Sequence, residues 1–488
     1  MKVMKKTGVP EEVVLVSRTL AEAGFEAYLV GGCVRDMLLA REPKDWDVAT
    51  DAKPAEVQKL FPESVYENNF GTVGIKTESE DPRLKIIEIT TYRIEGKYTD
   101  QRHPDEIKFA SHVEDDLARR DFTVNALAMD MKGDVIDPFG GSRDIKDRML
   151  RTVGAPEERF SEDALRLMRA VRFSVELDFE IEMNTRRAIV KLAGGLEAIA
   201  KERVRDELVK ILMTPNAAKG IILLEELDLL RYVLPELREG IGVAQNKHHV
   251  YTVFEHNVRA LDYAARENYS LVVRMAALLH DVGKPKVKGG DGADATFYQH
   301  EYVGARMAVK MLDRLRFSRE FTEQVAHLVR MHMFNYETGV ISPAGVRRLV
   351  VRVGPENIDD LLKVREADRI GSGVAKAVPY RLRHLLFMIE KVKRDPLSPK
   401  MLALRGDDLM PLLDLPQSRR VGWILNALME EVIDDPEKNE KKYLEKRAKA
   451  LNKLSDAELQ GLFASAQQKK REAEGEMDED IKKKHHVK

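Results

Sequence analysis

A short apolar run, Ala27-Tyr28-Leu29-Val30, stops at Gly31-Gly32 and gives way to a segment with helical spacing, Val34 to Ala40. This junction predicts a buried strand that turns sharply into a helix. Glycine there lets a polyanion approach the backbone, where helix N–H groups and the fork of Arg35 would face it. A plain tight turn has the same sequence, so the junction alone decides nothing. Asp45-Trp46-Asp47 follows. In a strand, residues i and i+2 point the same way, so both carboxylates would project from one face while Trp46 packs behind. Two adjacent carboxylates repel unless a cation separates them, an arrangement that holds Mg²⁺ for phosphoryl or nucleotidyl transfer. Glu88, within Ile86-Ile87-Glu88-Ile89, is the expected third ligand, because an unpaired charge among apolar neighbours would be costly.

Further strands are expected over 71–77, 84–91 and 135–137, after a first helix over 13–23 that ends at Gly24. Beyond residue 150 the spacing is helical, with helices expected over Glu162–Val175, Thr185–Leu192 and Lys201–Leu212. Most histidines lie between residues 245 and 375, which marks a separate helical domain, and charge blocks from Gln468 read as a solvated tail. The boundaries read from these shifts are 1–150, 151–244, 245–375, 376–467 and 468–488. The fold class is α+β, a mixed-sheet head followed by all-α domains. Lys and Arg number 80 against 82 Asp and Glu, a net charge of −2, which excludes holding nucleic acid by overall basicity. The one cysteine, Cys33, rules out an intrachain disulfide. With no apolar signal core and no run of about 20 apolar residues, the expected location is the cytoplasm, away from membranes.

Leu29-Val30-Gly31-Gly32-Cys33-Val34-Arg35-Asp36 followed by Asp45-Trp46-Asp47 resembles the signature of the bacterial class II tRNA nucleotidyltransferase (CCA-adding enzyme) and poly(A) polymerase family. Arg119-Arg120-Asp121-Phe122-Thr123 with Asn125-Ala126 resembles its ribose-binding motif, and Asp137-Pro138-Phe139-Gly140-Gly141 its hinge-like turn. Glu162-Asp163-Ala164-Leu165-Arg166 resembles its base-selecting helix, and Ala200-Lys201-Glu202-Arg203 through Leu212 the helix supporting it. The resemblance implies a polymerase-β-like head in which Asp45, Asp47 and Glu88 serve catalysis and hold Mg²⁺. It implies that Gly32, Arg35, Arg120, Arg169 and Arg172 bind triphosphate and ribose, and that the partners are tRNA, CTP and ATP. The polar loop from Tyr92 to Pro104 resembles one that CCA-adding and A-adding members have and CC-only members lack.

On a continuous helix Asp163 and Arg166, three apart, would be neighbours. Cytosine and adenine each show an amino donor beside a ring-nitrogen acceptor, so a carboxylate beside a guanidinium suits both and rejects the reversed pattern of uracil and guanine. The family assigns base choice to these two positions.

His280-Asp281 follows the apolar run 271–279, with His256 upstream and Asp368 downstream, offering nitrogen and oxygen ligands to a divalent transition metal. With Gly283-Lys284-Pro285 these residues resemble the HD phosphohydrolase superfamily. The resemblance implies His256, His280, Asp281 and Asp368 as ligands of an ion such as Ni²⁺, Mn²⁺ or Fe²⁺, with His300 and His332 as additional ligands or phosphate-binding groups. It also implies hydrolysis of phosphate esters, 2′,3′-cyclic phosphates among them. Three alternatives stay open: an enzyme adding only the terminal A, a poly(A) polymerase, and an HD phosphohydrolase whose N-terminal half has become an RNA-binding module. The sequence sets no oligomeric state.

Overall fold

Alternation along each strand decides which side chains reach the core. In Ile86–Thr91, Ile87 and Ile89 are buried while Ile86 and Glu88 are exposed. The structure, a computed structural model, describes residues 8–66, 71–95, 107–246, 250–290, 292–334, 346, 349–350, 352–393, 402–434 and 438–462. Most of the polar loop, from Gly96 to Pro104, and the charged tail lie outside the described residues.

The head is built on β1 (Tyr28–Val30), β2 (Asp47–Thr50), β3 (Ser64–Tyr66), β4 (Thr72–Lys76), β5 (Ile86–Thr91), β8 (Ala128–Met129) and β9 (Val135–Ile136), with a separate ribbon of β6 (Arg93–Glu95) and β7 (Ile107–Phe109). The seven strands form one mixed sheet in the order β3-β4-β5-β2-β1-β8-β9. Within this sheet only β2 and β5 pair in parallel, and their register sets Asp47 opposite Glu88. Val30, Ala49, Ala126 and Ala128 share a buried cluster with Tyr92, Val113 and Leu117. Gly31, between β1 and the helix Gly32–Leu38, has φ +76° and ψ −128°, a conformation open only to glycine.

Two expectations are corrected. The strand begins at Asp47 and leaves Asp45 in the preceding bend. The helix expected over 162–175 is two helices, Pro156–Glu162 and Leu165–Leu177, with Asp163 extended between them at φ −144° and ψ 105°. The cause is Asp163 itself. Its carboxylate accepts the Leu165 N–H at 3.0 Å, and such local side-chain bonding competes with a continuous helix.

Helices Met183–Leu192, Lys201–Leu212 and Ala217–Glu226 follow, then Val253–Arg266, Leu271–Leu279, His300–Arg314, Arg319–Met331 and Ile358–Gly371. Thr252, Ser270 and Ser318 cap three of them through side-chain oxygens. The chain divides into one compact unit of Met1–His332 with Asp360–Ala375, and a second of Met333–Asp359 with Lys376–Lys488. The second unit packs Gly406–Leu413, Arg419–Asp434 and Lys441–Leu451 around Leu409, Ile424, Leu428, Leu444 and Leu451. No helix among the described residues is long and apolar enough to cross a membrane.

Candidate active site and metal centre

At the end of the sheet, Asp47 is half-buried at the start of β2, Trp46 is buried behind it, and Asp45 is exposed in the bend. Burial pushes the Asp47 carboxyl above its ordinary range; the Arg120 guanidinium pulls it back in part, and the Asp45 carboxylate pushes with burial. An anion held at such a cost fits a cation site. Glu88 stands opposite Asp47 in register, but on the exposed face of β5, so the burial cost expected for its charge does not arise. Among the described residues Asp45, Asp47 and Glu88 do not close into a set whose ligand atoms all lie within 4.8 Å of one another.

The expected phosphate ligands sit around the Gly31 turn, with most of their donors already engaged. Arg35 is buried; its Nη1 donates to Asn125 Oδ1 at 2.6 Å, and its Nε and Nη2 face Asp36 Oδ1 at 2.9 and 2.8 Å. Arg35 therefore braces the turn, where a free fork was expected. Arg120 Nη2 lies 3.3 Å from Asp116, its Nη1 lies 3.4 Å from the Asn125 carbonyl, and its Nε is buried without a partner. A β-carbon at Gly31 would collide with Arg120 Nη1. Gly31→Ala is thus expected to cost about 1–3 kcal/mol of stability in chemical denaturation and to raise the nucleotide KM by displacing Arg120.

Asp163 and Arg166 are not presented as a pair. Asp163 is held by Arg203 Nη2 at 2.8 Å, while Arg166 Nη1 is engaged by Glu162 and donates to the Arg159 carbonyl at 2.9 Å. The break at Asp163 removes the i, i+3 relation that a continuous helix would have made. Arg169 grips Asp121 Oδ2 through Nε and Nη2, both at 2.7 Å, and Arg172 reaches Glu207 at 3.1 Å. Against the cost of burial, Arg169 and the Asn125 amide hold Asp121 down at about 2. Phe173 lies under three guanidinium groups: the Arg172, Arg169 and Arg35 carbons stand 4.1, 5.2 and 5.4 Å from its ring centre.

The histidines converge more completely. His256, His280 and Asp368 form one buried group, and Asp281, His300 and His332 a second, with all ligand atoms of each within 4.8 Å of one another. Asp281 bridges them. Its Oδ2 lies 3.1 Å from His256 Nε2 and 3.4 Å from His280 Nε2, and its Oδ1 lies 3.1 and 3.6 Å from those of His300 and His332. The expected four-ligand set is therefore split, with Asp281 shared and the two additional histidines completing a second group. The Nδ1 atoms of His280, His300 and His332 face backbone carbonyls three residues back at 2.8, 2.8 and 2.7 Å, which turns each Nε2 to the centre. Burial opposes charge throughout, yet Asp281 and Asp368 hold His280 up at about 10. Lys284 and His280 keep Asp281 well below the carboxylate range, and His256 and His280 do the same for Asp368. These protons and carboxylates neutralise one another where a divalent ion would otherwise sit, so the donor set fits a transition metal. Lys284 Nζ, 2.5 Å from Asp281 Oδ2 and 2.6 Å from Gln245 Oε1, was legible only as part of a motif.

Three family models match: the Poly A polymerase head domain over residues 27–151, the probable RNA and SrmB-binding site of polymerase A over 178–241, and the HD domain over 253–372. The A-adding tRNA nucleotidyltransferase of Deinococcus radiodurans is 36% identical over 417 residues, 83% of this chain and 91% of that protein. The CCA-adding enzyme of Enterococcus faecalis is 32% identical over 456 residues, 90% and 97% of the two chains. The chain belongs to the class II tRNA nucleotidyltransferase family. The crystal structure of the Bacillus stearothermophilus CCA-adding enzyme in complex with CTP superposes with a TM-score of 0.59 at 30% identity, covering 91% of this chain and 97% of that one.

As a member of this family the chain is a nucleotidyltransferase with an HD domain, and both parts imply dependence on divalent metal. Family motifs covered Arg120, Asp163 and the helix that carries Arg203 and Glu207, but singled out neither Glu207 nor Phe173. Their signal was the regular placement of Arg166, Arg169 and Arg172, which requires buried counter-charges and an apolar surface to lie on.

Proposed function

We propose that this nucleotidyltransferase adds CCA to the 3′ end of tRNA from CTP and ATP in the cytoplasm, and that its HD domain hydrolyses phosphate esters at a dinuclear site. The carrying observation for the first activity is the Asp47 carboxylate, disfavoured as an anion by burial and by Asp45, at the mouth of a glycine turn covered by Arg120. Asp45 and Asp47, with Glu88 beside them, would hold Mg²⁺, which supplies charge neutralisation and a lowered hydroxyl pKa. The tRNA 3′-oxygen attacks the α-phosphorus, the bond to the β-phosphate oxygen breaks, and pyrophosphate leaves. The unpartnered Arg120 Nε and the Gly31-Gly32 backbone lie where that pyrophosphate would be held, with Arg35, Arg169 and Arg172 bracing the site. Asp163 and Arg166 read the base after exchanging Arg203 and Glu162 for its Watson–Crick edge. The exposed Lys441, Lys442, Lys446 and Lys449 on one helix of the second unit offer contacts to RNA phosphates.

In the HD domain His256, His280 and Asp368 would hold one ion and His300 and His332 the other, with Asp281 between them. Ni²⁺, Mn²⁺ and Fe²⁺ suit this donor set and would supply Lewis acidity towards a phosphoryl oxygen. Lys284 is placed beside the shared carboxylate to meet a phosphate oxygen.

One observation favours a second reading, A addition alone: the Deinococcus radiodurans relative, matched over 91% of its length, is named an A-adding tRNA nucleotidyltransferase. Incorporation of labelled CTP and ATP into tRNA transcripts ending before CCA and after CC separates the two. Addition of both nucleotides to the shorter transcript is expected. Transfer of A to the CC-ending transcript alone would establish the A-adding reading, and an unlimited A-tail would establish a poly(A) polymerase.

A further inference from the structure

Arg274 is the largest of the fully buried side chains, 1% exposed, and its donors all go to neutral oxygens. Its Nε donates to the Tyr269 carbonyl at 2.8 Å, its Nη1 to the Leu212 and Thr214 carbonyls at 2.8 and 3.0 Å, and its Nη2 to the Ala265 carbonyl at 3.4 Å and Asn268 Oδ1 at 3.0 Å. No carboxylate among the described residues pairs with it. A buried cation without a counter-ion is tolerated here because it lies at the C-terminal ends of two helices, Lys201–Leu212 and Val253–Arg266, where unsatisfied carbonyls concentrate negative charge.

The two helices belong to different halves of the catalytic apparatus. Lys201–Leu212 carries Arg203, which holds Asp163, and Glu207, which holds Arg172. Arg274 itself sits on Leu271–Leu279, the helix that runs into His280-Asp281. A helix is a stiff rod with a rise of about 1.5 Å per residue, so its clamped C-terminus fixes Arg203 about 14 Å away. A shift of the clamped end is carried to Asp163 and Arg172 together.

We infer that Arg274 is a positioning residue for nucleotide selection, a clamp supplied by the HD domain that fixes the helix on which the base-reading and phosphate-facing side chains lean. The inference rests on the assignment of Asp163 to base choice. It makes the HD domain a structural part of the nucleotidyl-transfer site whatever its own hydrolytic activity.

The test uses the full chain and tRNA transcripts. Arg274→Met withdraws the guanidinium from all the oxygens it serves, of which the Ala265 carbonyl keeps the Asn268 N–H, and is expected to unfold, so the informative variant is Arg274→Lys, whose ammonium keeps the charge but cannot span both helix ends. Steady-state incorporation of CTP, ATP and the wrong nucleotide UTP is measured for the wild type, Arg274→Lys, Asn268→Ala and Asp163→Ala, alongside thermal melting. Arg274→Lys is expected to lower the CTP-over-UTP ratio of kcat/KM by about tenfold. Asn268→Ala, which removes one acceptor, is expected to shift the ratio less in the same direction and serves alone if the lysine variant does not fold. An unchanged ratio, with activity falling only in step with the folded fraction, overturns the inference while Asp163→Ala still loses selectivity. If Asp163→Ala keeps full selectivity, the base-choice reading fails and the inference falls with it.

Discussion

Asp47→Ala is expected to lower incorporation of labelled CTP and ATP into tRNA by at least about 10³-fold, and Asp45→Ala to do nearly the same, while hydrolysis by the HD domain persists. Catalysis and stability make opposite demands on this carboxylate. The folded-state pKa of Asp47 is raised, first by burial and then by Asp45, so its charged form works against folding. For a carboxyl raised in this way the folded state binds the extra proton. The penalty is absent at pH below the ordinary carboxyl range, grows as pH rises from that range to the raised folded-state value, and is fully present above it. Removing the carboxylate should leave the melting temperature at pH 7 unchanged or higher, even as activity vanishes. A variant that lost activity and stability together would argue that Asp47 is a structural residue of β2.

The head was legible because its chemistry and its backbone share short segments. The glycine junction, the Asp-x-Asp spacing and the alternation in 84–91 are local patterns, and the strands formed at β1, β2, β4 and β5 follow them. The break at Asp163 was not legible from periodicity, since Glu162 to Val175 has unbroken helical spacing. It depends on Arg203, 40 residues away, and on the competition between a carboxylate and its own backbone. The burial assigned to Glu88 failed for a related reason. Its apolar neighbours alternate to the other face of β5, and which face is covered depends on what packs against the sheet, which the run itself does not name. The arginine row was read as a set of triphosphate and ribose ligands; in the structure its guanidinium groups lie against Phe173 of the same helix and pair with Asp121 and Glu207, which come from segments that the spacing of the row does not name. Among the histidines, the resemblance implied a ligand set but not its division into two groups, because the sharing of Asp281 depends on which oxygen faces which helix.

That sharing sets the last expectation. Asp281→Asn should abolish phosphate-ester hydrolysis, lowering it by about 10²-fold or more, and reduce bound transition metal at both groups together. His332→Ala should affect only the group it belongs to. The difference follows from geometry: Asp281 faces His256 and His280 through one oxygen and His300 and His332 through the other. Without metal the Asp281 carboxyl is held well below its ordinary range by Lys284 and His280 against the cost of burial. The stability it contributes is present at neutral pH and lost only as pH falls into the acid range. The asparagine variant leaves Lys284 and the histidines without that counter-charge, so the metal-free protein should also melt lower, by on the order of 3–5 kcal/mol for a broken buried pair. Metal content by atomic emission distinguishes the effects, since the stability loss alone does not change how many ions the folded fraction carries. Chelation of the wild type followed by Mg²⁺ alone should restore incorporation and not hydrolysis, because the head offers carboxylate oxygens and the HD cluster offers mostly imidazole nitrogen. Restoration of both activities by Mg²⁺ would sink the assignment of the histidine cluster to a transition metal, and full metal loading of Asp281→Asn would sink the bridging role.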